Sequence, residues 1–302
     1  FRPSGRMAAI ASPSVRKLAA DRGVDIDALA ADLGRETIGR EDVLGQTAPG
    51  ASGPAAASSK YWDVDHSEWG PVKVERLSRI AEVASANLTA AQQLIPAVTH
   101  HDSADVSRLE ATRETLKAEG TSVTALSFHV AVLARCLREF PRFNASLSAD
   151  GQSLILKDYV HIGIAVDTPH GLAVPVIRNA GSLRLSQISA AIRDFAVRAR
   201  DRKLRSHDMG GASMTITNLG GIGGEAFTPI VNPPEVAILG ITRTRIRPVW
   251  SGTEFVPVPV TPLDLSYDHR IVNGADAARF LTRYCDLLAQ PDDLLVPRVD
   301  TS

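Results

Sequence analysis

The chain has 302 residues, 44% of them hydrophobic and 22% charged, with a formal net charge of -1. That balance excludes a partner chosen by bulk charge, whether nucleic acid or anionic membrane, and no apolar run is long enough to span a bilayer. Two cysteines, Cys136 and Cys285, cannot build a disulfide framework. They suit a reducing, cytoplasmic setting, and each lies in an apolar helical run that reads as buried and inert. A single compact domain usually holds fewer residues, so two domains of unequal size are expected.

Taken in chain order, the first unit is small. Residues 1–20 carry Arg2, Arg6, Arg16 and Lys17 and no acid, whereas Asp21 to Asp42 carries seven acids against three arginines. A helix is predicted behind Ser12 as N-cap and Pro13 in the first turn, with Val15, Leu18 and Ala19 inward and Gly23 closing it. A second short helix begins near Arg40. Residues 45–60, GQTAPGASGPAAASSK, are almost free of large apolar side chains and read as an extended linker. This divides the chain into 7–44, 45–60 and 61–302. Trp62 and Trp69 are expected to anchor the chain as it enters the larger domain.

Beyond the linker the periods alternate. Val123, Leu126, Val130, Leu133 and Leu137 recur at helical spacing behind Thr121 and Ser122 and stop at Pro141. Strand-like runs follow at 153–157, 159–166 and 172–177, the first two reading as a hairpin. A helix returns through Leu185, Ile188, Ile192 and Phe195. Further strands are predicted at 213–218, 236–241, 255–260 and 263–267, and a last helix at 275–288. The pattern is that of an α/β layered domain, a mixed sheet covered by helices.

Two stretches carry chemistry. In SYDHRIVNGADAARF, Ser266 to Phe280, a strand ends at Asp268-His269-Arg270 and a turn at Gly274 opens a helix. A histidine exposed at such a corner can take a proton near neutral pH, and Asp268 and Arg270 can brace the corner by an ion pair. A histidine that merely packs the turn is the plain alternative. In GGASMTITNLGGIGGEAFTPIVNPPEVAILG, a β run delivers Thr217 to a strand end, where its hydroxyl can donate to a developing oxyanion. The glycines that follow resemble part of a dinucleotide loop. Pro229, Pro233 and Pro234 exclude the helix such a loop requires. His100 and His101, with Asp102 and Asp105, suggest a metal only weakly, because neighbouring side chains on an extended segment point apart, and no metal is expected. His129, inside an apolar helix, reads as a satisfied core residue. The basic run from Arg193 to Arg205 reads as a solvated face.

At these motifs the chain resembles the acyltransferase core component of 2-oxoacid dehydrogenase complexes. RLSRIAEVASANL, IPAVTHHDSADVSRLEATR, HIGIAVDTPHGLAVPVIRN, SMTITNLGGIGG, FTPIVNPPEVAILG and SYDHRIVNGADAARF carry the resemblance from about Val72 to Val296. The phrasing is most similar to the dihydrolipoyllysine acetyltransferases of bacterial pyruvate dehydrogenase complexes. ASPSVRKLA and GREDVL are similar to their small helical peripheral subunit-binding domain.

The resemblance implies a chloramphenicol-acetyltransferase-like fold and a homotrimer with sites between subunits, with assembly into a larger cage left open. It implies acetyl transfer from dihydrolipoyl-lysine to coenzyme A, both as substrates, with no bound cofactor. His269 would be the general base, Thr217 the oxyanion donor from the neighbouring subunit, and Asn273 an orienting residue where Asp is commoner. Asp167, Arg113 and Leu239 match channel-lining positions. Ser14, Arg16 and Lys17 would grip dihydrolipoamide dehydrogenase or the 2-oxoacid dehydrogenase component. The lipoyl domain itself is expected upstream of Phe1. The alternatives are a branched-chain, 2-oxoglutarate or acetoin acyltransferase, an acetyltransferase for a small free acceptor, or a non-catalytic scaffold.

Overall fold

The computed structural model describes residues 9–44, 64–169 and 171–295, so the expected linker at 45–60 lies outside the described residues. Two compact units emerge, Phe1–Glu75 and Arg76–Ser302.

The first unit is helical. α1 (Pro13–Asp21) starts where Ser12 caps the Val15 amide, and Gly23 turns the chain at a φ of 65°. α2 (Ile26–Leu33) is capped by Asp25, which accepts from Asp27 and Ala28, and it ends on Gly34 in the left-handed region. α3 (Arg40–Leu44) follows. The sequence reading missed α2. Its start is signalled by one aspartate, and its eight residues are too few to show a helical period. Ala9, Val15, Ala19, Ile26, Leu29, Ala30, Ile38 and Val43 form the core. A core so small leaves little margin, so each cap matters.

Trp69 ends a short 3-10 turn and is 71% exposed. It anchors nothing among the described residues, contrary to expectation. Its indole finds only the edge of His66, ring centroids 5.9 Å apart.

The second unit opens with α4 (Arg79–Leu94), capped by Ser78. Then come β1 (Ala97–Asp105), α5 (Ser107–Ala118), α6 (Ala125–Glu139), β2 (Ala145–Leu147), β3 (Leu154–Leu156), β4 (Ile162–Ala165), β5 (Val176–Ile177) and α7 (Leu185–Arg200). β6 (Met214–Asn218), β7 (Ala237–Ile241), β8 (Arg245–Trp250), β9 (Phe255–Asp268) and α8 (Gly274–Ala289) complete it. The main sheet runs β1-β9-β7-β6-β4-β5, with β8 also paired to β9. β4, β6 and β7 are parallel and the remaining pairs antiparallel. The expected mixed sheet is therefore present.

Two strand expectations change. β3 pairs with β2, so 153–157 and 159–166 do not form a hairpin. The runs at 255–260 and 263–267 are one strand of 14 residues. It contains Pro257, Pro259 and Pro262. Strand pairing on both sides, to β8 and then to β1 and β7, carries the backbone through them.

Residues opposite one another in a ladder share a face. Ile164, Ile216, Leu239 and Leu265 form one such row and join the core with Phe128, Leu133, Phe280 and Tyr284 of the helices. Each such side chain stabilises the fold by roughly 1.5–3 kcal/mol on burial. Phe143 stacks on Phe280 at 4.1 Å. The opposite face is polar. Its rows read Gly163, Thr215, Ile238, Ser266, Thr99 and, two residues on, Ala165, Thr217, Gly240, Asp264, His101.

Candidate active site

The corner at His269 is built by its neighbours. The Asp268 amide donates to the Val236 carbonyl at 2.8 Å, which ends β9 against β7. The Asp268 carboxylate, on a residue 3% exposed, accepts from the Arg270 amide at 3.0 Å and from its guanidinium at 2.6 to 3.1 Å. The amides of Ile271 and Val272 then close on the Asp268 carbonyl. This is the mutual ion pair that the sequence suggested. The arrangement turns the chain sharply and leaves the His269 ring exposed, 5.8 Å from the Tyr267 ring, with its own amide tied to the Pro96 carbonyl at 3.1 Å.

Asn273 sits at the N-cap of α8, and its side chain accepts from the Asp276 amide at 2.9 Å. It holds the helix start behind the corner. No bond between it and the His269 ring appears among the described residues.

Thr217 lies half-buried near the end of β6, opposite Ala165 and Gly240, on the face away from α6 and α8. Two close approaches shape this face. A Cβ on Gly240 would lie 2.8 Å from the Phe227 ring, and one on Gly163 would lie 2.5 Å from the Thr215 hydroxyl. A side chain at either position would force its neighbour to shift.

Thr217 and His269 are far apart within one chain. Thr217 is level with Gly240 and Asp264, and His269 lies five positions further along β9. At about 3.4 Å per residue and 4.8 Å per strand, the two are roughly 19 Å apart. Neither can act on the same thioester within one copy.

The remaining expected positions scatter. Asp167 is exposed, two residues beyond Ala165 at the Thr217 end of the sheet. Arg113 pairs with Glu110 and reaches the Val123 carbonyl at 3.5 Å. Leu239 is a correction: it is 0% exposed, on the helix-facing row, and its side chain belongs to the core and not to a channel. In the small unit, Ser14, Arg16 and Lys17 are exposed on α1. The Arg16 guanidinium is already engaged, donating to the Ala9 carbonyl at 2.6 Å.

Glu235 was missed. It is 5% exposed, and its Oε1 accepts from Thr215 at 2.9 Å and Asn232 at 2.8 Å while Oε2 has no partner. Burial raises its pKa, and the same burial lowers that of the Lys157 ammonium near it. It walls a cavity of about 480 Å³ that also touches Asp268 and Arg270. The available signal was an acid inside the apolar run from Val231 to Leu239.

His101 and His100 face opposite sides of β1. His101 Nδ1 bonds to Asp264 Oδ1 at 2.6 Å. Among the described residues no cluster of three metal-ligating side chains occurs, and no helix is long and apolar enough to cross a membrane.

Comparison with known proteins follows the same lines. The catalytic domain of the 2-oxoacid dehydrogenases acyltransferase family matches residues 70–296. The dihydrolipoyllysine-residue acetyltransferase component of the pyruvate dehydrogenase complex of Cupriavidus necator is 43% identical over 301 residues, covering 93% of this chain and 54% of the relative. That of Azotobacter vinelandii is 44% identical over 295 residues, covering 92% and 46%. The chain thus spans about half the length of these curated relatives.

Among solved structures, an Azotobacter vinelandii dihydrolipoamide acetyltransferase is 46% identical with a TM-score of 0.75, covering 77% of this chain and 98% of that one. Its study concerned a serine, a histidine and an asparagine in the catalytic mechanism. The cubic core of a pyruvate dehydrogenase multienzyme complex is 47% identical, also at 0.75, with the same coverage.

Proposed function

The chain belongs to the 2-oxoacid dehydrogenase acyltransferase family, and from that premise we propose that it moves an acetyl group from acetyl-dihydrolipoyl-lysine to coenzyme A. His269 takes the proton from the coenzyme A thiol. The thiolate attacks the thioester carbonyl, and the resulting oxyanion receives the hydrogen bond of Thr217 from a second copy. Collapse expels the dihydrolipoyl thiolate, which recovers the proton from the imidazolium. Exchange between two thiols is nearly balanced in energy, so positioning, one base and one donor suffice.

The observation that carries this reading is the separation of roughly 19 Å between two chemically complementary groups, counted along the sheet. Each end offers half a site, and a ring of copies that apposes unlike ends supplies whole ones. Exposed Val83, Leu88 and Leu94 on α4 offer apolar surface for such packing. We read Thr217, His269 and Asn273 as the counterparts of the serine, histidine and asparagine studied in the Azotobacter relative. Asn273 acts through the helix that it caps.

We read the small helical unit as a peripheral subunit-binding domain that docks dihydrolipoamide dehydrogenase or the 2-oxoacid dehydrogenase component. The setting is cytoplasmic, and trimers assemble as in the cubic core of the solved relative.

The test is acetyl transfer between acetyl-coenzyme A and dihydrolipoamide, with His269→Ala and Thr217→Ala purified separately and then co-assembled. Each variant alone should be nearly inactive, and mixed trimers should regain activity, because some interfaces then join an intact His269 to an intact Thr217. Inactive mixed trimers would place both groups in one copy or dismiss one of them. Inactive wild type in intact trimers would favour the scaffold reading.

A further inference from the structure

Glu235 closes the turn Asn232-Pro233-Pro234-Glu235, its amide donating to the Asn232 carbonyl at 3.0 Å. Its Oε1 accepts from the Thr215 hydroxyl at 2.9 Å and from the Asn232 carboxamide at 2.8 Å. One oxygen therefore ties the turn both to its own start and to the middle of β6. A further tie comes from β2, where the Ser146 hydroxyl donates to the Pro234 carbonyl at 2.6 Å.

The turn leads directly into the corner that presents His269. The next carbonyl in the chain, that of the buried Val236, accepts the Asp268 amide at 2.8 Å. Asp268 then holds Arg270, and its carbonyl receives the amides of Ile271 and Val272. Among the described residues nothing hydrogen-bonds the His269 ring, so its place is set by the backbone around Asp268. Turn and corner also meet in space: Glu235, Val236, Asp268 and Arg270 wall the same cavity of about 480 Å³.

The carboxyl group works here as an acceptor and not as a charge. Its Oε2 is sealed from solvent without a partner, burial disfavours the ionised form, and the nearby Lys157 ammonium donates to the Ala212 carbonyl at 3.3 Å. Removing Oε1 would strand two donors at once, which is costly inside a protein.

Resting on the transfer reaction above, we propose that Glu235 is a positioning residue for that reaction: its Oε1 fastens the turn 232–236 to β6, and the turn, through the Val236 carbonyl, fixes the backbone that aims His269. Glu235 touches neither the imidazole nor the reacting thioester and acts only through the main chain. A base displaced by about an ångström can lose on the order of 100-fold in rate. Substrate binding made elsewhere is untouched, so the loss falls on kcat and not on KM.

The experiment measures kcat and KM for both substrates with the full chain as wild type, Glu235→Leu, Glu235→Gln and Thr215→Val. Unfolding midpoints and peptide-level hydrogen exchange are measured alongside. Glu235→Leu should lose roughly 10–100-fold in kcat at unchanged KM. Glu235→Gln keeps the accepting oxygen and should recover most of that loss. Thr215→Val removes one of the two donors and should fall between them, and it carries the test if Glu235→Leu does not fold. Exchange over residues 266–272 should quicken in Glu235→Leu and not in Glu235→Gln, while α6 keeps its protection. Adding Arg270→Ala to Glu235→Leu should cost less than the product of the two single losses, because both loosen one corner.

A folded Glu235→Leu protein with wild-type kcat would overturn the proposal. So would a raised KM in place of the lost kcat, a Gln variant as impaired as the Leu variant, or losses that multiply independently in the double variant. Hydrogen exchange is read without turnover. An inactive wild type whose corner still loosens on loss of Glu235 would defeat the transfer reading and leave the brace standing, whereas unchanged exchange at the corner would defeat the brace whatever the rate.

Discussion

The two ends of the sheet hold their functional groups by different means. At the His269 end, charge and main-chain bonds fix the corner: Asp268, Arg270 and the Val236 carbonyl set the backbone and leave the imidazole free. At the Thr217 end, the absence of side chains does the work. Gly240 admits the Phe227 ring and Gly163 admits the Thr215 hydroxyl, so neighbouring strands pack closely beneath an unencumbered hydroxyl. A base is positioned by groups that orient its backbone, and a donor by a flat, tightly packed strand. The first is vulnerable to loss of charge, the second to gain of volume.

The largest expected effect lies at the base. His269→Ala should lower acetyl transfer by about 10²–10⁴-fold, the range for removal of a general base, with the unfolding midpoint unchanged because the ring is exposed. Rate measured together with thermal unfolding checks both parts.

A pH test probes the core between the ends. The His129 pKa falls to about 4 in the folded state. The unfolded chain then binds the extra proton below about 6.5, and stability drops as pH falls from there towards 4, by about 3 kcal/mol in all. Denaturant titrations from pH 7 to 4 should show this limb in wild type and not in His129→Leu.

Removing the brace should cost less. Arg270→Ala leaves the Asp268 carboxylate buried with fewer partners, for a loss of about 1–3 kcal/mol. It should also lower the transfer rate, because the corner that presents His269 loosens. An Arg270→Ala protein with normal rate and midpoint would mean the corner needs no ion pair. Gly240→Ala should cost a similar 1–3 kcal/mol, through the Phe227 clash. The smallest effect is expected for Asn273→Ala, about 1 kcal/mol for a lost helix cap. A far larger loss of rate than of stability there would give Asn273 a role beyond capping.

Much of the site was legible. His269 and Thr217 stand in motifs whose strand and corner character shows locally, and the salt bridge of Asp268 with Arg270 spans only two residues. The α6 and α8 helices were legible because their apolar positions recur with the helical period. β1 and β8 were not, since β1 is polar and β8 is exposed along its whole length, and neither alternates in a way that marks a buried face. Glu235 and His129 were passed over or read as core because their meaning depends on groups 20 and 155 residues away, Thr215 and Tyr284. Leu239 was expected on a channel from the resemblance, whereas its side chain joins the core, and its direction depends on register. One residue of offset moves a side chain to the other face, and no local signal reports it.

By itself, then, the amino-acid sequence determined the family, the layered class, the two motifs and the candidates for base and donor, because these follow from residue type and short spacing. Only the tertiary structure decided that His269 and Thr217 stand at opposite ends of one sheet, that Leu239 is core, and that His129 bonds to Tyr284. Those facts are set by strand order and register, which join residues distant in the chain, and pairwise distance is the one quantity that local pattern does not contain.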